Sequence, residues 1–565
     1  MSATKPMSTD AVMKIGLAVL VIGLVVLGWV SAFLGELITP TGMPWTDLTA
    51  LLAKIKAGEF AWPGAATWIL IVLAVLGFVG AGILIGLLDG NKHRDDGLPR
   101  YKDLEKRMGK KAALAKAKQS LELPADATEE EMIVALCKLD GQTLYVQHED
   151  SMWVFAPQRS GKTLFLAVGI ILDAPGAVIA TSTKNDLPML TAVARQRKGD
   201  VSVFDLQDIS GWPNKVRWNV ITGCEDPDEA LARAKAWAGA QPMGNVKNGD
   251  FFNSKASAVL GRFLHAAALG GKKIEDVVRW SNNFADKEPL EILVDNGASA
   301  AFTDRLRTLT TSRAGETVDS IQETLAGLLE PLSSPKAMQM LSPAAGEGFD
   351  MAAFLEKPNT VYLLTDGERS PVAPLVAMFA DFMFRKAQRI SQTMPGGRLW
   401  PVLTMVLDEA PNVAAIPDMA SALSDSGGRG IRIIGFSQSF AQNRQRWGNE
   451  AATAIRGTSS IRLFLPGLEE LDELDKIARA AGTTRKERVS TSQGRGGSSR
   501  TVSEEERPVI RGNEIQQLPV GEAFMHYSNV APAKVKLMPW WERPDANQIK
   551  ADKTAAGEIV RKVQA

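Results

Sequence analysis

The chain has 565 residues, 45% of them apolar and 23% charged, which is enough for several domains' worth of core and excludes a disordered polypeptide. Its 64 basic residues balance 64 acidic ones, so no global charge asymmetry points to a partner. Two cysteines, Cys137 and Cys224, and four scattered histidines exclude a disulfide scaffold and argue against a structural zinc site, and they suit a reducing compartment.

In chain order, two uncharged stretches come first, at 15–35 and 60–88. Each is long enough to cross a hydrocarbon core as a helix, and no small-residue cleavage site cleanly follows the first, so a two-span transmembrane anchor over 1–90 is expected. Residues 92–118 carry ten Lys and Arg against four acids, whereas the loop at 36–59 carries only Lys54 and Lys56. That asymmetry predicts a multi-pass protein of the plasma (inner) membrane with both termini cytoplasmic. A basic juxtamembrane linker and helix follow at 91–140, the helix drawn as DATEEEMIVALCKLDG with Thr128 as N-cap and Gly141 after its end.

Beyond it, short apolar runs alternate with helical patterns: SMWVFA before a glycine-lysine loop, then AVIAT, VSVFD, NTVYLLTD, PVLTMVLDE, IRIIGFSQ and IRLFLP. Such runs suit strands buried on both faces, and the intervening helices suit crossovers, so the expected fold class is α/β. The nucleotide-binding domain is assigned to 141–224 and 347–545. Between them, 225–346 has helical patterns without a convincing strand and reads as an all-α insertion domain. The segment 483–507, rich in Ser, Gly and Arg, reads as a loop or linker, and 546–565 as a C-terminal tail.

The chemistry is concentrated in VFAPQRSGKTL. In a phosphate loop, backbone N–H groups and a helix N-terminus hold phosphate oxygens, a lysine reaches the β and γ phosphates, and a hydroxyl ligates magnesium. Lys162 and Thr163 supply the last two roles, and Ala156, Pro157, Gln158, Arg159, Ser160 and Gly161 complete the loop. Ala156 stands where the pattern has its first glycine; a small residue serves there if its backbone angles are ordinary. PVLTMVLDEA ends in Asp408, placed to organise Mg2+ with Thr163, and in Glu409, placed to orient or deprotonate a water. Gln438 closes another strand, either near a γ phosphate or as a core amide bonded to backbone. Arg429, with Arg432 and Arg456 as competitors, is a candidate for reaching a neighbouring subunit's phosphates.

Together these stretches resemble the type IV coupling proteins, the RecA-like P-loop ATPases of conjugative DNA transfer and type IV secretion. The resemblance rests on the N-terminal pair of apolar stretches, PQRSGKT at 157–163, TSTKNDL at 181–187, VFDLQDISGWPNKVRWNVI at 203–221 and the helical insertion. It continues through LDEAPNVAAIPDM at 407–419, GRGIRIIGFSQSFAQ at 428–442 and RPVIRGNEIQQLPVGEAFM at 507–525. TSTKNDL, and the alanine-proline at 410–411, mark a divergent branch. The resemblance implies ATP and Mg2+ as cofactors, a homo-hexameric ring anchored in the membrane, and partners comprising single-stranded DNA, its relaxase and the secretion channel proteins. It implies that the insertion recognises the cargo. Two rival expectations are a nucleotide-gated docking receptor that does not pump, and a septal chromosome translocase. The latter family has more spans and a C-terminal winged helix.

Overall fold

The computed structural model describes residues 9–77, 97–120, 126–241, 249–311, 315–344, 347–367, 370–494 and 497–564. The chain divides into two compact units, Met1–Asp96 and Gly97–Ala565.

In the first unit, helix Thr9–Ile38 is followed by helix Leu48–Lys56, whose N-terminus is closed by the Asp47 carboxylate accepting from the Thr49 and Ala50 amides. Residues 64–77 form another helix. Gly35 lies so close to Ala66 that a Cβ there would sit 2.6 Å from the alanine methyl, so the two long helices touch backbone to backbone. Ala32, Met43, Trp45 and Leu51 form a small buried cluster between the elements. Among the described residues no helix is long and apolar enough to cross a membrane. The expected two-span anchor, the multi-pass location in the plasma membrane and the orientation drawn from them are therefore corrected. The described helix at 64–77 has 14 residues; at 1.5 Å per residue it rises roughly 21 Å, short of a hydrocarbon core of about 30 Å. The remainder of the 60–88 stretch lies outside the described residues.

The second unit is built on one sheet of eleven strands. In chain order these are β1 (Ile133–Leu139), β2 (Gln142–Gln147), β3 (Met152–Phe155), β4 (Val178–Ser182), β5 (Val201–Asp205) and β6 (Thr360–Leu364). They continue as β7 (Leu403–Leu407), β8 (Ile431–Ser437) and β9 (Ile461–Phe464), with β12 (Glu522–Tyr527) and β13 (Ala533–Leu537). β10 (Thr483–Gly494) and β11 (Gly497–Pro508) pair only with each other, in a separate antiparallel ribbon. The spatial order is β2-β1-β13-β12-β9-β3-β8-β7-β4-β6-β5; the last seven are parallel and the first four join antiparallel.

The parallel strands are those the apolar runs predicted, because strands covered on both faces need no alternation. Along β3, Trp153 and Phe155 enter the core on one face while Met152 and Val154 enter the core on the other. The first core also takes in the helices of 225–346, including Trp237, Phe263 and Trp280; the second lies under the helix after the phosphate loop and under helix Ala546–Gln564.

Three local readings differ from expectation. Thr128 does cap a helix, with Glu131 completing the reciprocal box, but that helix is only Glu129–Met132. Ile133–Leu139 instead pairs with β2 through a tight turn in which Asp140 and Gly141 both have positive φ, so Gly141 is a hairpin residue rather than a helix stop. The expected linker at 483–507 is the β10–β11 ribbon. The expected tail is a 19-residue helix docked on helix Asp186–Gln196, with Ile549 and Ala556 buried and Asp552 held by Arg197 at 2.7 Å.

Seven helices, from Pro227–Ala240 to Pro335–Leu341, occupy 225–346, with no strand among the described residues. The first is tied to the sheet by a buried ionic cluster. Glu229 takes Arg233 at 2.8 Å and, from helix Ala373–Ser391, Arg385 at 2.7 Å; Arg233 also donates to the Val220 and Thr222 carbonyls. Burial alone would raise the Glu229 carboxyl, but Arg385 and Arg233 outweigh it and hold it below the usual range. A carboxyl with a depressed folded value contributes stability above the unfolded value and loses it as pH falls through the folded one. Glu229→Gln is therefore expected to cost about 3 kcal/mol at neutral pH, since it strands two buried guanidinium groups. Urea titrations at stepped pH should show that deficit shrinking on acidification.

Candidate nucleotide site

β3 ends at Phe155 and delivers the loop 156–161 to the C-terminal edge of the parallel strands, where open α/β sheets bind ligands. Ala156 is fully buried, donates its amide to the Ser437 carbonyl at 2.8 Å, and does not have a positive φ, so a methyl is tolerated there. Gly161 is different: φ is +86°, and a Cβ would meet the Phe165 ring at 2.5 Å. Arg159 is the loop's other left-handed residue, with φ +63°. Ser160 closes the loop by donating its hydroxyl to the Pro157 carbonyl at 2.7 Å. The helix begins at Thr163 with one wide turn, Thr163–Ala167, before continuing as Val168–Asp173.

β7 carries Asp408 and Glu409 to the same edge. The Thr181 hydroxyl, from neighbouring β4, donates to the Asp408 carbonyl at 2.8 Å. Glu409 is left-handed, at φ 51° and ψ 46°, and its carbonyl accepts from the Asn412 and Val413 amides at 2.8 and 3.0 Å. That turn aims both carboxylates at the loop. Lys162 Nζ lies 2.7 Å from Asp408 Oδ1 and 3.6 Å from Glu409 Oε1.

The short contact is ionic without hydrogen-bond alignment: neither Lys162 Nζ nor Asp408 Oδ1 has a directed partner, although both are buried. Burial raises the Asp408 carboxyl above the ordinary value, Lys162 draws it down, and the Glu409 charge beside it raises it again. Gln438 follows β8, and its amide donates to the Gln442 side chain at 2.9 Å.

These groups face one open cleft of about 780 Å³, lined by Gln158, Arg159, Gly161, Lys162, Thr163, Asp408, Glu409 and Gln438. Residues 181–187 and 366–367 contribute Lys184, Asp186 and Asp366 to its far wall, and Asn412 and Gln442 complete it. None of these five was singled out from sequence; the usable signal was their place just past the ends of β4, β6, β7 and β8. Arg429 is not brought to this cleft. It precedes β8, at the opposite edge of the sheet, and pairs with Asp425. Of its competitors, Arg456 pairs with Glu473 at 3.0 Å and Arg432 is buried within the sheet domain.

Among the described residues no three His, Cys, Asp or Glu side chains gather to hold a metal. Thr163 and Asp408 suit a magnesium ion that takes its remaining ligands from phosphate and water, the usual arrangement for that cation, and the unaligned Asp408 Oδ1 is the atom with capacity to spare.

A model of the family described as Type IV secretory system Conjugative DNA transfer matches residues 106–561. Conjugal transfer protein TraG of Escherichia coli is 23% identical over 415 residues, covering 67% of this chain and 64% of that protein. TraG of Agrobacterium fabrum is 21% identical over 405 residues, covering 69% and 60%. The chain thus spans less than two thirds of the length of these curated relatives. Among solved structures, the unbound bacterial conjugative coupling protein TrwBdeltaN70 superposes with a TM-score of 0.54 at 15% identity, over 77% of this chain and 92% of that one. The plasmid coupling protein TrwB in complex with ADP and Mg2+ gives 0.55 at 15% identity, over 75% and 91%. The mixed α/β architecture with its large parallel sheet is shared with them.

Proposed function

The chain belongs to the type IV secretory system conjugative DNA transfer family, and from that membership we propose that it is an ATPase coupling nucleotide hydrolysis to the recruitment and translocation of single-stranded DNA with its bound relaxase. The observation that carries this reading is the meeting of Lys162, Asp408 and Glu409 within 3.6 Å in a cleft closed by a phosphate loop. A purely structural lysine-carboxylate pair would need neither the left-handed Gly161 nor the left-handed Glu409 around it.

In this reading the 156–161 loop and the start of the following helix cradle the phosphates, and Lys162 leaves Asp408 for the β and γ oxygens. Thr163 and Asp408 hold magnesium, which when bound offsets the phosphate charge. Glu409 orients the attacking water and accepts its proton, and Gln438 senses the γ phosphate. TrwB, of like fold, holds ADP and Mg2+ in one of its structures, which supports the cofactor assignment. Arg429 is too far around the sheet to serve its own phosphate loop, so any such role is toward the next subunit of a homo-hexameric ring. The helices of 225–346 take the cargo, and the secretion channel proteins receive it. Contacts to DNA are to the phosphate backbone, without base readout.

The test is phosphate release by the full chain with and without single-stranded DNA, alongside electron microscopy of the protein with a non-hydrolysable ATP analogue. DNA-stimulated turnover by six-membered rings is the expected result. Turnover indifferent to DNA in assembled rings would remove the translocation reading, and absence of nucleotide binding would remove the motor altogether.

A further inference from the structure

Behind the phosphate loop, on the face away from the nucleotide cleft's opening, lies a second cavity of about 330 Å³. Its walls are apolar, with Val134, Phe165, Ile170 and Pro539 among them, and they come from β1, the phosphate-loop helix and the segment after β13. One end is cationic. Arg432, projecting from β8, is 1% exposed and lines the cavity, and its Nε and Nη2 have no hydrogen-bond partner. Burial pushes its guanidinium down to about 10, and Asp150 and Asp173 pull the other way, so it remains charged at neutral pH.

Neither acid is available to neutralise it by contact. Asp173 is taken up by both terminal nitrogens of Arg543 at 2.7 Å, and Asp150 accepts from the Gln147 amide and the Tyr527 hydroxyl. Lys138 adds a second cation to the cavity, and the remaining acid, Glu542, has its nearest cation in Lys536 at 3.8 Å. Burying a guanidinium without a partner is costly, and a planar fork of donors is matched best by a carboxylate.

We propose that this cavity is a binding site for a small organic monocarboxylate with an apolar body, its carboxylate on Arg432 and its body between Val134, Phe165 and Ile170. The volume is at the lower end of the range of small-molecule pockets, which suits a ligand of about ten heavy atoms. The site adjoins the nucleotide machinery, because the Phe165 ring that forms its wall is the same ring that lies against Gly161.

The experiment is titration of the full chain with octanoate, by calorimetry and by thermal shift, without nucleotide, so that the outcome is independent of ATPase activity. Saturable one-to-one binding is expected, with octanol and inorganic phosphate each at least tenfold weaker. Arg432→Met is expected to weaken octanoate at least tenfold while the melting temperature holds or rises, since the variant removes an uncompensated buried charge. Gly169→Leu provides the second arm. Its Cβ would sit an ordinary 3.7 Å from Arg543 Nη1, in the cavity wall, so the added side chain fills the space with Arg432 left in place and should also abolish binding. Equal affinity for phosphate would overturn the amphiphilic class. Unchanged octanoate binding in Gly169→Leu, or a collapse of stability in Arg432→Met with no octanoate binding to the wild type, would make Arg432 a structural residue.

Discussion

Lys162→Ala is expected to lower ATP turnover by about three orders of magnitude, equivalent to about 4 kcal/mol of transition-state stabilisation. The ammonium is 13% exposed and already lies among the groups that would hold the nucleotide, 2.7 Å from Asp408. In the nucleotide-free chain it neutralises that carboxylate, and on binding it would transfer to the phosphates, whose charge grows toward the bridging oxygen as the bond breaks. Removing it acts on both states. Burial and Glu409 would then raise the Asp408 carboxyl further, without Lys162 to draw it down, so the side chain meant for magnesium would be harder to ionise. Nucleotide affinity should fall together with turnover, which separates this variant from one that affects only the chemical step. The measurement is steady-state phosphate release with single-stranded DNA present, paired with equilibrium binding of a fluorescent ATP analogue. Turnover within tenfold of the wild type would sink the assignment of the loop.

Glu409→Gln should divide the two properties instead. Glutamine keeps the size and the left-handed turn but not the basicity, so nucleotide affinity is expected within a few-fold of wild type while turnover falls on the order of 10² to 10⁴. The backbone is pinned by the Asn412 and Val413 amides on the Glu409 carbonyl and by Thr181 on the Asp408 carbonyl, so the side chain can change without moving the turn. The same variant discriminates between a motor and a docking receptor in a DNA-transfer assay. A receptor that only recruits cargo would tolerate Glu409→Gln, whereas a motor would stop with nucleotide bound. Retained transfer together with lost hydrolysis would rule out the pumping reading while leaving the nucleotide site intact.

The sequence by itself determined the parallel half of the sheet and the content of the candidate site. Strands covered on both faces must be short, apolar and bounded by turns, a pattern that survives in one dimension, and Gly161, Lys162 and Thr163 are local in the chain. It also marked Asp408 and Glu409, because a strand that ends in two acids is locally conspicuous. What it could not carry was anything set by partners distant in the chain. IVALCKL follows a well-formed helix cap and has helix-compatible residues, yet it becomes β1 because its hydrogen bonds go to β2 and β13. Val489 and Val502 pair across a ribbon whose polar composition suggested a linker. The apolar N-terminal stretches read as membrane spans by hydropathy, a sum over neighbours that takes no account of contacts such as Gly35 against Ala66. Most consequentially, tertiary structure alone decided that Arg429 lies at the wrong edge of the sheet for its own phosphate loop, and that Arg432, one strand position away from ordinary, ends up buried and unpaired over a cavity. Strand direction and burial are properties of the assembled sheet, and a residue's charge becomes costly or useful only once the sheet has determined what surrounds it.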